Sequence, residues 1–455
     1  MDSNTVLRAL QAVLPADALV LDVDAIAPYR VDRALDPAAG TPLAVVLARS
    51  VADVQAAVRV AAAHGIPVVP RGRGTGLSGG ASALEGGIVV STQEMCEIRV
   101  DLGTRTLVAE AGALNADVKA AAAAHGLWYP PDPASFEICS IGGNVATNAG
   151  GLCCVKYGVT RDYVLGLNVV LADGSLVELG GPLVKDVAGL PLVQLFVGSE
   201  GTLGIITSAT LRLVPKQTPP VTVVASFDSV EAAMDVVQAV SAETRPAMLE
   251  FMDGSTIRAV APIHSVGLDT DAEAMLVIQS DLPGEAGVAE AARFADACAA
   301  TARTVRVFDD PALGEPWVAA RRDAIPSVQG DRGLLLGDVG VPLPELGRLL
   351  VGVRDIALRS DVTIAMIAHA GDGNTHPLVV LDLEDAEQVA RAHQAYAEVT
   401  ELAISLGGTL TGEHGVGRLK LPWLERSVGA DVVALSRRVK AALDPAGILN
   451  PGAGF

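Results

Sequence analysis

The residues best suited to chemistry lie in two short segments, His369-Ala-Gly-Asp-Gly-Asn-Thr-His376 and Gly412-Glu413-His414-Gly415. They bring three of the chain's seven histidines and a carboxylate into two glycine-loosened turns. Imidazole with carboxylate is a ligand set that suits a borderline divalent ion such as zinc or manganese. A site of that kind needs three protein ligands, so one group of the four remains to move a proton. On a regular strand the adjacent Glu413 and His414 would point to opposite faces; glycines on either side relax that constraint. His64, His125, His264 and His393 have no such company and read as structural or surface residues.

Three glycine-rich stretches precede these turns. The first, Pro70-Arg-Gly-Arg-Gly-Thr-Gly-Leu-Ser-Gly-Gly-Ala81, contains Gly74-x-Gly76-x-x-Gly79, a literal match to the dinucleotide fingerprint. A Rossmann loop must open a helix whose N-terminus holds the pyrophosphate. Here Gly86-Gly87 and a new strand, Ile88–Ser91, follow almost at once, so that reading fails. Consecutive glycines can still converge their N–H groups as an anion nest, with Thr75 and Ser78 adding hydroxyls and Arg71 and Arg73 adding charge. Residues 140–151 spend four Gly and two Asn on twelve positions, and 198–207 have the same texture before entering a strand. Three such stretches imply a long ligand lying against backbone, and a flavin dinucleotide has the required length.

The elements that must position these segments follow from periodicity and punctuation. A strand is predicted at 43–47, then a helix Val51–His64 started by Ser50 and stopped by Gly65, then a strand at 66–69. An Ala-rich helix at 116–125 ends at Gly126, and 165–171 with 175–179 form a hairpin around Asp173-Gly174. Pro219-Pro220 marks a boundary. Beyond it come a strand at 222–226, a helix at 230–240 and helices near 284–302 and 386–405, the pattern of an α+β domain with an antiparallel sheet. Residues 448–455 read as a turn.

At 455 residues the chain is too long for one core. Half of it is hydrophobic but only 3% aromatic, so the cores must be built from Ala, Val and Leu. With 53 acidic and 33 basic residues the formal charge is −20, which repels nucleic acid and requires local positive charge at any anion site. Five cysteines, two of them adjacent, match no disulfide framework, zinc ribbon or iron–sulfur pattern and read as buried thiols of a reducing compartment. Met1-Asp2-Ser3-Asn4 does not begin a signal peptide, and no apolar run reaches the ~18 residues of a membrane span. A cytoplasmic protein is expected.

At these residues the chain resembles a known family. The loop at 70–81, Ile-Gly-Gly-Asn-x-x-Thr-Asn-x-Gly-Gly at 141–151 and Gly-Ser-Glu-Gly-Thr-Leu-Gly at 198–204 resemble the FAD domain of the vanillyl-alcohol oxidase superfamily. His-x-Gly-Asp-Gly-Asn-x-His at 369–376 and Gly-Glu-His-Gly at 412–415 resemble its 2-hydroxy-acid branch, which includes D-lactate dehydrogenases, D-2-hydroxyglutarate dehydrogenases and the flavoprotein subunit of glycolate oxidase. The resemblance runs from about residue 40 to the Asn450-Pro451-Gly452 ending. It implies an α+β fold: a two-subdomain FAD-binding domain at 40–218, a substrate domain at 219–417, an N-terminal helical segment at 1–39 packed on the FAD domain, and a segment at 418–455 returning to it.

Carried onto this sequence, the resemblance gives Arg71, Gly72, Arg73, Gly74, Thr75, Gly76, Leu77, Ser78 and Gly79 to the pyrophosphate. Pro131, Ser135, Gly142, Gly143, Asn144, Thr147, Asn148 and Gly150 would line the flavin. Glu200, Gly204 and Ile206 would meet the adenosine end, and Asn450 belongs to the same cofactor set. His369, His376 and Glu413 would hold the metal, His414 would be the base and meet substrate, and Arg321 would grip the substrate carboxylate, with Arg322 as its rival. Some members tether FAD through a histidine; position 78 is Ser and no histidine occurs between 65 and 124, so noncovalent FAD is expected. Dicarboxylate-specific members carry polar residues where this chain has Leu378 and Ile325, which favours a small 2-hydroxy monocarboxylate over 2-hydroxyglutarate.

The expected reaction is oxidation of D-lactate or glycolate to the 2-oxo acid by hydride transfer to flavin N5. Electrons would pass to a quinone, a cytochrome or a partner iron–sulfur protein, with a homodimer left open. D-2-hydroxyglutarate dehydrogenase is the alternative within the class. A metallohydrolase is the alternative outside it, and would not need the three glycine-rich stretches.

Overall fold

The computed structural model describes residues 3–34 and 36–455. Met1 and Asp2 of the N-terminal reading, and Leu35 within segment 1–39, lie outside the described residues. The chain forms two units. The first holds the chain up to Gly150, Val159–Lys216 and Glu413–Phe455; the second holds Gly151–Gly158 and Gln217–Gly412. Hydrogen bonds explain where the chain changes hands. Lys216 N–H bonds Gly126 O of the first unit, whereas the Gln217 amide bonds Asp281 of the second. Gly412 N–H bonds Asp338 of the second unit, whereas Val416 N–H bonds Glu200 of the first. The divisions therefore fall at 216/217 and 412/413, and the short piece 151–158 joins the second unit, a feature with no signal in the sequence pattern.

The first unit contains two main sheets and a two-stranded ribbon that pairs Val214–Pro215 with Leu127–Trp128. One has four strands in the order Leu19–Val20, Ala44–Leu47, Ile88–Ser91, Val68–Arg71, the last three parallel. The helix Val51–His64 starts as predicted at Ser50, where the Ser50 and Asp53 side chains cap each other's backbone N–H groups, and it ends at Gly65 in the left-handed conformation. It buries Val54, Ala57, Val58 and Ala61 in a core shared with Val6 and Leu10 of the helix Ser3–Val13. The C-terminal stretch lies beside Val68, which donates to Ile448 O and accepts from Asn450 N–H.

The other sheet has five antiparallel strands in the order Ile98–Asp101, Thr106–Glu110, Ile205–Arg212, Val164–Val170, Leu176–Gly180. Its last pair is the hairpin expected around Asp173-Gly174. The stretch 140–151, grouped by sequence with the glycine loops, contains a helix, Ile141–Thr147. Ile141 and Val145, four residues apart, bury one face in the core beneath, and Asn148 at φ 54° ends the turn. The Ala-rich helix runs Asn115–Ala123, two residues short of the expected end.

The second unit is one antiparallel sheet with helices on both faces. Its strand order is Ala302–Phe308, Val221–Phe227, Ala274–Ser280, Met248–Asp253, Thr363–His369, Asn374–Leu381, Gly333–Leu336, with Val339–Gly340 also on Asn374–Leu381. Alternation sends Leu249, Phe251, Met366, Ala368, Val379 and Leu381 to one core, under the helices Val230–Glu243, Glu285–Ala299, Leu346–Ser360 and Ala386–Ser405. Met248, Met252, Ala365, Ile367, Leu378 and Val380 face the other core, under Gly254–Val260, Pro311–Arg322 and Ala324–Gln329. Trp317 of Pro311–Arg322 packs there, its ring 5.9 Å from Phe308 and 5.3 Å from the Arg306 guanidinium.

No helix among the described residues is long and apolar enough to cross a membrane. None of the five cysteines is in a disulfide, but Cys96 is exposed and Cys154 half-buried, so burial holds for Cys139, Cys153 and Cys298 alone. The Ser50 cap is exposed and local. Ser50→Ala is therefore expected to destabilise the protein by about 1 kcal/mol, read as a lower urea midpoint with unchanged flavin content.

Candidate active site

In the second unit the site is assembled by strand register. A tight turn, in which Asp372 and Gly373 donate to the His369 carbonyl, joins Thr363–His369 to Asn374–Leu381. The register pairs Ile367 with His376 and His369 with Asn374, so the two histidines are diagonal neighbours on one face. Their ring centroids lie 5.2 Å apart, edge to face. The next strand pairs Glu250 with His369, which brings a carboxylate onto the same face. His369 Nδ1 donates to Glu250 Oε1 at 2.8 Å, and Glu250 Oε2 forms an ion pair with Arg321 at 2.7 Å. The Glu250 side chain is fully buried and that of Arg321 is 4% exposed. Arg322, the rival arginine, turns outward to Glu315.

His376 Nδ1 lies 3.3 Å from Gly337 O and 3.9 Å from Asp338 Oδ1. Asp338 is itself buried, and its Oδ2 accepts from Thr411 Oγ1 at 2.6 Å and from Gly412 N–H at 3.0 Å. The Gly412 end of this unit is thereby fixed to the residue next to His376. Sequence reasoning singled out neither Glu250 nor Asp338. Glu250 did leave a signal: it is the one charged position inside Met248-Leu-Glu-Phe-Met, where every other side chain is apolar.

In the first unit the strand ending at Arg71 runs into the glycine loop, which forms no helix before Ile88–Ser91. Arg71 braces the loop from inside: its guanidinium donates to Ala81 O and Pro28 O, and burial lowers its pKa despite nearby Asp32. Arg73 reaches Gly112 O. Ser78 Oγ donates to His414 O at 3.2 Å, and Arg418 holds Gly79 O and Ser82 O. Gly417, at φ 53°, comes so close that a Cβ there would stand 1.9 Å from the Ser78 carbonyl oxygen. The turn after Gly412 is thus stitched to the loop. Glu413 and His414 sit in it, outside any strand, with Glu413 Oε1 4.0 Å from His414 Nε2.

Other residues given to the cofactor turn out to hold the fold as well. The Glu200 carboxylate, whose pKa burial raises against the pull of two backbone donors, accepts from Val416 and Gly417 N–H. Asn450 bridges Gly80 O and Glu200 O. Asn144 accepts from Asn115, whose amide also reaches Pro131 O; Thr147 donates to Gly143 O; and Asn148 accepts from Arg161 N–H. Ser135 O takes the N–H groups of Ile138 and Cys139, and Gly204 lies against Val169 and Phe196. Ile206 is buried in the adjoining core.

These residues fit an FAD on one observation. Each glycine-rich segment carries or adjoins a buried serine hydroxyl, of Ser82, Ser140 or Ser199, that has no protein hydrogen-bond partner. Such groups are costly unless a ligand engages them. The residue opposite Ser140 is Gly72, where an added Cβ would stand 2.2 Å from the Ser140 Oγ and oblige that hydroxyl to turn away.

Comparison with known proteins agrees with this architecture. The family described as "FAD linked oxidases, C-terminal domain" matches residues 216–453, and "FAD binding domain" matches 42–180. The chain is 40% identical to the glycolate oxidase subunit GlcD of Bacillus subtilis, over 91% of this chain and 89% of that one. It is 35% identical to the D-lactate dehydrogenase of Archaeoglobus fulgidus, over 93% and 94%. Among solved structures, the 4-ethylphenol oxidase from Gulosibacter chungangensis shares its fold with a TM-score of 0.82 at 16% identity, covering 99% of this chain and 96% of that one. The chain therefore belongs to the FAD-linked oxidases, and within the vanillyl-alcohol oxidase superfamily to the type represented by D-lactate dehydrogenases and glycolate oxidase subunits.

Proposed function

We propose that this chain oxidises a small D-2-hydroxy acid such as D-lactate, or the achiral glycolate, to the corresponding 2-oxo acid with noncovalent FAD and a divalent ion, zinc or manganese. The observation that carries this reading is the face shared by Arg321, Glu250 and His369. A buried arginine suited to a carboxylate stands beside an imidazole suited to a metal, joined by one carboxylate. The relatives named for glycolate and D-lactate support the substrate class. Leu378, two residues beyond His376 on the same face, and Ile325 are both packed in apolar core, which supports a monocarboxylate over 2-hydroxyglutarate.

His369 and His376 fit a metal because each turns Nδ1 to a protein acceptor, the outer-shell arrangement of metal-binding histidines, which makes Nε2 the ligand nitrogen. Glu413 is the third ligand in this reading; it directly follows Gly412, which Asp338 fixes next to His376. When bound, FAD supplies the two-electron acceptor, with N5 as the hydride's destination, and the ion supplies charge that stabilises a developing alkoxide. Arg321 orients the substrate carboxylate and so aims the C2 hydrogen. His414 accepts the hydroxyl proton, the task of a general base. The cationic ion and Arg321 together attract an anion that the −20 surface repels. Electrons leave to a quinone, a cytochrome or an iron–sulfur partner chain; the name "subunit" on glycolate oxidase relatives fits a separate acceptor chain.

The direct test is anaerobic titration of the flavoprotein with D-lactate, glycolate, D-2-hydroxyglutarate and L-lactate. Bleaching of the flavin band by D-lactate or glycolate is expected; a band that none of the acids bleaches would overturn the substrate class. His414→Ala should retain flavin and metal while turnover falls about a hundred- to ten-thousand-fold, and retained turnover would remove it as base. Removal of the metal by a chelator should abolish turnover without releasing FAD; full activity in verified metal-free protein would refute the metal role.

A further inference from the structure

We propose that Glu250 is a positioning residue that sets the metal-binding tautomer of His369 and the pose of Arg321 at once. This deepens the function proposed above and rests on it for the metal. The two oxygens of one carboxylate are divided between the two groups: Oε1 takes His369 Nδ1–H at 2.8 Å, and Oε2 pairs with Arg321 at 2.7 Å. An ionised carboxylate only accepts, so it selects the imidazole form with its proton on Nδ1 and its lone pair on Nε2. The same charge balances a guanidinium that is nearly as buried.

Register makes the arrangement rigid. Glu250 lies directly across from His369 on the neighbouring strand, between Met248 and Met252, which are locked in the core beneath the helix that carries Arg321. The carboxylate is therefore not a surface group that happens to reach inward. It is a fixed post with one hand on the metal side and one on the carboxylate-binding side. The spacing between hydroxyl and carboxylate recognition is set by a single side chain, which suits an acid whose two groups sit on adjacent carbons.

The test uses the full-length, FAD-loaded protein and its Glu250→Gln and Glu250→Asp variants. Zinc affinity is measured at one pH by competition with a chromophoric chelator, alongside flavin content, Tm, kcat and KM. Glu250→Gln is expected to keep its flavin, to bind zinc about 10- to 100-fold more weakly, and to show a raised KM for the hydroxy acid. Glu250→Asp keeps the charge on a shorter arm and should recover part of the zinc affinity. Wild-type zinc affinity and KM in Glu250→Gln, with only Tm lowered, would overturn the proposal and leave Glu250 a purely structural ion. If Glu250→Gln does not fold, the double variant Glu250→Gln/Arg321→Gln removes the buried cation with its anion, and wild-type zinc affinity there would overturn the proposal equally. Failure of the wild-type protein to take up zinc or manganese would instead overturn the metal reading, and with it the His369 arm.

Discussion

Burying the charge of Glu250 in the middle of a sheet obliges the protein to build around it. An isolated carboxylate in an apolar interior is too costly to persist, so it must be given a cation and a donor, and both must arrive in fixed geometry. The cation comes from the last turn of a helix and the donor from the neighbouring strand. Neither could be supplied by a loop of uncertain pose. The regular sheet, its two apolar faces and the helix Pro311–Arg322 above it follow from this one requirement as much as from general packing.

The first unit meets a different constraint, that of presenting backbone to a long anionic ligand. It does so with glycine and with short hydroxyl side chains, and it spends its charged residues on bracing. Arg71, Glu200 and Arg418 look from their types like ligand-binding groups, yet each holds loop carbonyls or amides in place. With a chain charge of −20, converging amide N–H groups of the kind these glycines allow would offer an anion positive dipoles without a further charged side chain.

Much of this was legible in the sequence where local signals act. Ser50 and Gly65 bounded their helix to the residue because capping is a matter of adjacent backbone groups. The hairpin at Asp173-Gly174 was legible for the same reason. The rejection of a Rossmann loop also rested on local spacing. What escaped depends on pairing across the chain. Glu250 meets His369 across 119 positions and Asp338 meets Gly412 across 74, and no period or motif marks such a meeting. The helix Ile141–Thr147 was hidden by its glycines, although Ile141 and Val145 carried the spacing of a buried face. The chemistry-bearing residues themselves were named from family motifs, and the structure adds the buried carboxylate that joins two of them.

The scarcity of aromatic residues has an optical consequence. Of three tryptophans, Trp128 and Trp423 belong to the first unit and Trp317 alone to the second. Trp317 lies one turn before Arg321 on the same helix, against Phe308 and Arg306. The tryptophan emission of the second unit thus comes from one indole tied to the arginine's own helix, beside the tyrosines Tyr157 and Tyr396. A protein with an ordinary share of aromatics would bury that signal under many others; this chain carries its reporter without a label.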